Sequence, residues 1–79
     1  MFIEYMQVAM RQAQFKVVPA DETIYGEIPG LEGVNACAET LEACRHDLGE
    51  ILEEWIYCRV SRQLPLPEIE RFQPPQSNA

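Results

Sequence analysis

Apolar positions recur along this chain with two different periods, and the change from one to the other divides it into elements. Between Thr40 and Arg62, Leu41, Cys44, Leu48, Ile51, Leu52, Trp55 and Cys58 follow one another mostly at spacings of three and four. That is the stripe of a helix with one face on a core. Thr40 stands as its N-cap, Glu42 in the first turn suits the helix dipole, Arg59 and Arg62 suit the last turns, and Leu64-Pro65 ends it. Gly49 interrupts the pattern at a cost of about 1 kcal/mol relative to Ala, which predicts a close neighbour at that point.

Upstream the period shortens to two. In Thr23-Ile24-Tyr25-Gly26-Glu27-Ile28, one side carries Ile24, Gly26 and Ile28, and the other carries Thr23, Tyr25 and Glu27. The first set is expected to meet the long helix and the second to face solvent or a partner. Gly26 marks close backbone approach or a bulge. Phe15, Val17 and Val18, ending at Pro19, predict a preceding strand joined to this one as a hairpin through Ala20-Asp21-Glu22. Pro29 to Gly33 is turn chemistry, and Val34 to Cys37 gives a third, short strand. Residues 2–13 predict a short amphipathic helix with Phe2, Ile3, Met6, Ala9, Met10 and Ala13 on its inner side; a strand at Phe2 to Tyr5 is the competing reading.

The class expected is α+β: a three-stranded antiparallel sheet with one long helix packed on one face, an extra N-terminal helix, and a possible short strand after the long helix. Pro65-Leu66-Pro67-Glu68-Ile69 would supply that strand by lying along a sheet edge. One domain is expected over residues 1–69, with 70–79 as a flexible tail.

Composition narrows the picture in two respects. A chain of 79 residues buries a modest core, which makes a homo-oligomer the expected state. No apolar run approaches a membrane span, and Glu4, Gln7 and Arg11 interrupt the N-terminal region where a leader would be apolar, so a cytoplasmic location is expected. The net charge of −7 is unevenly spread: residues 21–54 hold ten carboxylates against Arg45 alone, while the segments on either side are each net +1. Such a field repels phosphate backbones and attracts basic surfaces, besides keeping a small protein soluble.

Candidate chemistry is sparse. Cys37, Cys44 and Cys58 form no Cys-x-x-Cys pair, and Cys44 and Cys58 fall on the apolar stripe, so all three are expected to be structural thiols with no metal bound. His46, with Glu42 and Glu50 four residues away on either side, reads as a member of a surface helix pair. Nothing in the pattern makes carboxylates converge, and no glycine-rich phosphate loop is present, so neither catalysis nor a cofactor is expected.

Two stretches carry a resemblance. Ile28-Pro29-Gly30-Leu31-Glu32-Gly33-Val34, followed by Ala38-Glu39-Thr40-Leu41-Glu42-Ala43, resembles the signature of the HicB-like antitoxin family, and Leu52-Glu53-Glu54-Trp55-Ile56 with Leu64-Pro65-Leu66-Pro67 resembles the end of that family's helix and its exit. Glu32, Ala38 and Ala43 stand where the family commonly has proline, glycine and glutamate. The resemblance implies a partial ribonuclease-H-like fold and the binding and neutralisation of a small basic HicA-type toxin that cleaves mRNA. Many family members also carry a C-terminal DNA-binding domain; with seventeen residues after Arg62, four of them proline, none is expected here. With that implication in hand, the surface expected to meet the partner is Tyr25, Glu27 and Glu32, with Tyr25 as the aromatic anchor. The alternatives are a nucleic-acid-binding module using Arg59, Arg62 and Arg71, and an orphan oligomeric scaffold.

Overall fold

The computed structural model describes residues 2–69, without the side chain of Phe2. The chain runs α1 (Phe2–Arg11), β1 (Gln14–Val18), β2 (Thr23–Glu27), β3 (Asn35–Ala38) and α2 (Leu41–Ser61). The strands form one antiparallel sheet in the order β1-β2-β3, with α2 packed on β2 and β3 and α1 packed on α2. This is the expected α+β architecture. Among the described residues, no helix is long and apolar enough to cross a membrane. The flexible tail expected at 70–79 lies outside the described residues.

The two connections between strands are built differently. In the β1–β2 hairpin the Val18 carbonyl accepts from the N–H groups of Asp21 and Glu22, at 3.2 and 2.8 Å, and Glu22 turns through φ +57°. The four-residue loop sets the register, pairing Val18 with Thr23 and therefore Lys16 with Tyr25 and Gln14 with Glu27. The β2–β3 connection is two successive turns: Leu31 N–H donates to the Ile28 carbonyl and Val34 N–H to the Leu31 carbonyl, with Gly30 and Gly33 at φ +88° and +91°. Only glycine takes these angles without strain. The spacing of three drives Ile28, Leu31 and Val34 into the core and leaves Glu32 exposed.

Helix α2 begins as expected: Thr40 Oγ1 accepts from Ala43 N–H at 3.0 Å. Its end is a Schellman motif. Leu64 N–H reaches the Arg59 carbonyl and Gln63 N–H the Val60 carbonyl, with Gln63 at φ +60°. The buried line is Cys44, Leu48, Leu52 and Ile56. Four members of the expected stripe lie outside it: Leu41 is 51% exposed and Cys58 is exposed, Ile51 and Trp55 pack on the core only partly, whereas Ile56, which the stripe leaves out, is buried. Cys37 is exposed as well, so burial of the thiol holds for Cys44 alone. At Leu41 and Cys58 the reason is length. The 21 residues of α2 run on the order of 31 Å, against about 17 Å for a five-residue strand, so its two ends pass beyond the sheet. Helix α2 also packs on α1. The buried Cys44 thiol donates to the Ala36 carbonyl at 3.6 Å, and burial, with smaller contributions from Cys37 and Asp47, pushes its pKa up.

Gly49 does not admit a neighbour: a Cβ built there meets nothing within 4 Å. Gly49→Ala should therefore recover the full propensity difference and stabilise the protein by about 1 kcal/mol. Thermal melting followed by circular dichroism should show a rise of roughly 4–8 °C.

Helix α1 packs on a face turned part-way from the one expected: Ala9 is buried and Met6, Met10 and Ala13 pack partly on the core as expected, but Tyr5 and Val8 are buried where Ile3, 67% exposed, is not. What turns the helix is the segment after α2. Residues 64–69 form no strand pairing among the described residues; Ile69 is buried in the core, and the Pro67 carbonyl accepts from the Tyr5 hydroxyl at 2.6 Å. Pro65 and Pro67 have no N–H to offer a sheet edge, and the Pro65 carbonyl is taken by Arg59 Nε at 2.9 Å.

Candidate functional site

Because α2 covers one face of the sheet, the alternation along each strand sorts its residues into covered and open sets. Ile24, Gly26 and Ile28 turn inward as expected, Gly26 and Ile28 being buried. Antiparallel partners share a face, so the open side carries Gln14, Lys16 and Val18 from β1, Thr23, Tyr25 and Glu27 from β2, and Asn35 and Cys37 from β3. The site is the central strand of this open face and the turn that follows it.

The structure brings Tyr25 and Glu27 together directly: the Tyr25 hydroxyl donates to Glu27 Oε1 at 3.2 Å. The ammonium of Lys16 sits 5.8 Å from the Tyr25 ring centroid. Partial burial, followed by the hydrogen bond and charge of Glu27 and by Cys37, raises the Tyr25 pKa above its ordinary value. On one side of this pair a shallow cleft of about 120 Å³ is lined by Gln14, Phe15, Lys16, Tyr25 and Glu27. On the other, a cleft of about 400 Å³ follows the turn from Glu27 to Asn35 and includes Glu32. Glu27 lines both. Glu32 shares the second cleft with Glu27 and is exposed, with no hydrogen bond to Tyr25.

The acidic charge is divided between two sides of the molecule. Glu27 and Glu32 belong to the open sheet face and its turn, whereas Glu42, Glu50, Glu53 and Glu54 are exposed on α2, in the opposite layer. A partner seated over Tyr25 and the following turn therefore meets Glu27, Glu32 and Lys16 rather than the carboxylates of α2. Lys16 is the residue that sequence reasoning missed. The signal was present: the four-residue loop fixes the hairpin register, and the register sets Lys16 opposite Tyr25.

Elsewhere, His46 Nε2 lies 3.2 Å from Glu50, the helix pair expected, and Asp47 brings a third potential ligand atom within 4.8 Å of these two. Arg59 is held in the fold, over the Trp55 ring at 5.2 Å and on the Pro65 carbonyl. Of the other tail arginines, Arg62 caps α2 and is exposed, and Arg71 lies outside the described residues.

The UPF0150-like family matches residues 4–67. The crystal structure of TTHA0281 from Thermus thermophilus is similar, with a TM-score of 0.82 and 32% sequence identity over 90% of this chain and 93% of that one. No curated protein matches the chain.

Proposed function

The chain belongs to the UPF0150-like family, and from that premise we propose that it is an antitoxin-type regulatory protein which binds a partner on the open face of its sheet. The partner is a small basic toxin of the HicA type, which cleaves mRNA, and the chain blocks it without catalysis or a cofactor of its own. It works in the cytoplasm as a homo-oligomer. The observation that carries this reading is the Tyr25–Glu27 pair on an uncovered sheet face, with Glu32 in the adjoining cleft. An aromatic ring held by its neighbours loses little conformational freedom on binding, and carboxylates around it suit a basic surface. The engagement of Arg59 within the fold weakens the nucleic-acid reading.

The test is co-expression. A small basic protein recovered with this chain should arrest growth when produced alone and be silent when the two are produced together. Glu27→Lys with Glu32→Lys should weaken the complex roughly tenfold or more by titration calorimetry, as expected for reversing charges beside an anchor, while leaving the circular dichroism spectrum unchanged. Recovery of this chain with nucleic acid alone, or a complex indifferent to both reversals, would overturn the proposal.

A further inference from the structure

Helix α1 is apolar on two sides. At about 100° per residue, Tyr5, Val8 and Ala9 cluster on one side and Ile3, Met6 and Met10 on another, roughly 140° further round. The first set is buried in the core. The second, of which Met6 and Met10 already pack partly on that core and Ile3 is exposed, lines an open groove of about 500 Å³ with Gln7, Arg11 and Arg45 of α2. A ten-residue surface helix needs one apolar side, and a helix apolar on two is built to be covered twice.

We infer that this groove is where two copies of the chain meet, through α1 packed antiparallel against α1 of the second copy. The charges favour a second copy over a basic partner. Arg11 and Arg45 flank the groove, which therefore repels a basic partner, whereas a second copy brings its own Glu4 to offset Arg11. The pattern is also self-complementary. A two-fold axis between Met6 and Gln7 places Ile3 of one copy beside Met10 of the other and brings Glu4 within side-chain reach of Arg11, twice by symmetry. Among the described residues neither Glu4 nor Arg11 has an ion-pair partner within one copy. The sheet face of the proposed toxin site lies on different elements, so one chain can use both surfaces at once. A helix of this length offers less than the roughly 800 Å² per partner of a standard interface, which predicts a dimer dissociating in the micromolar range.

Sedimentation velocity over a concentration series tests this. The wild-type protein should pass from monomer to dimer, and Ile3→Lys, at a position that is already exposed, should raise the dissociation constant at least tenfold with an unchanged circular dichroism spectrum. Glu4→Arg and Arg11→Glu should each weaken the dimer, and the two together in one chain should restore it. Gln7→Cys, in a Cys37→Ser, Cys58→Ser background, should form a disulfide-linked dimer on mild oxidation. A protein monomeric at every concentration, a dimer indifferent to Ile3→Lys, or a charge swap that fails to restore the single losses would overturn the inference.

Discussion

Leu48→Ala is expected to leave this protein largely unfolded at room temperature. Leu48 is completely buried at the middle of the α2 line that runs from Cys44 to Ile56. Truncating a buried leucine costs about 2–5 kcal/mol, the larger values arising where neighbours cannot close the cavity. Here they are poorly able to do so, because the inward positions of β2 and β3 opposite α2 include Gly26, Ala36 and Ala38, which have little side chain to move. A single core in a chain of this size rarely supplies more than about 3–5 kcal/mol, so the loss is comparable with the whole stability. Urea titration followed by circular dichroism should show a midpoint near or below zero denaturant. A midpoint shift worth less than about 1 kcal/mol would mean that the core closes over the gap.

Gly26→Ala should cost about 1–3 kcal/mol, the usual penalty of overpacking a filled core. A Cβ at this position would lie 2.6 and 2.7 Å from Cε1 and Cδ1 of Phe15 and 3.1 Å from Cys44 Sγ. The Phe15 ring, half-buried on an edge strand under Arg45, can yield by leaving the sheet; the Cys44 sulfur, completely buried, cannot. Combining Gly26→Ala with Phe15→Leu should return part of the loss in the same urea titration. A double variant no more stable than Gly26→Ala alone would place the obstruction at Cys44.

The turn from Pro29 to Gly33, the hairpin and the start of α2 were legible because each is fixed locally. Glycine takes the positive φ, the loop length sets the register, and Thr40 caps its own helix. The face of α1 was legible only in part: Ala9 is buried as expected, but Tyr5 and Val8 are buried in place of Ile3. Ile3, Met6 and Met10 outweigh Tyr5, Val8 and Ala9 in apolar character, and the choice is made by Pro67 and Ile69, more than fifty residues away. The end of α2 differs for a related reason: periodicity tells which residues share a side of a helix, but not where the sheet beneath it stops, so it sets Cys58 inside and leaves Ile56 out, the reverse of what is found. At the candidate site, alternation alone put Tyr25 and Glu27 on the open face. Their mutual hydrogen bond, and Lys16 over the ring, required the register and the side-chain torsions as well.

The hydrogen bond from Tyr5 to the Pro67 carbonyl joins positions 62 residues apart. A bridge of that span cannot form early in synthesis: when a ribosome has made the sheet and α2, the seat for α1 still lacks Ile69 and the acceptor at Pro67. Helix α1, the first element made, is therefore the last to dock, and until then both of its apolar sides are open to chaperones or to other nascent chains. A released chain cut just before Leu64 should keep a sheet and long helix with a loosely held N-terminus, readily clipped by protease, and restoring residues 64–69 should seal it.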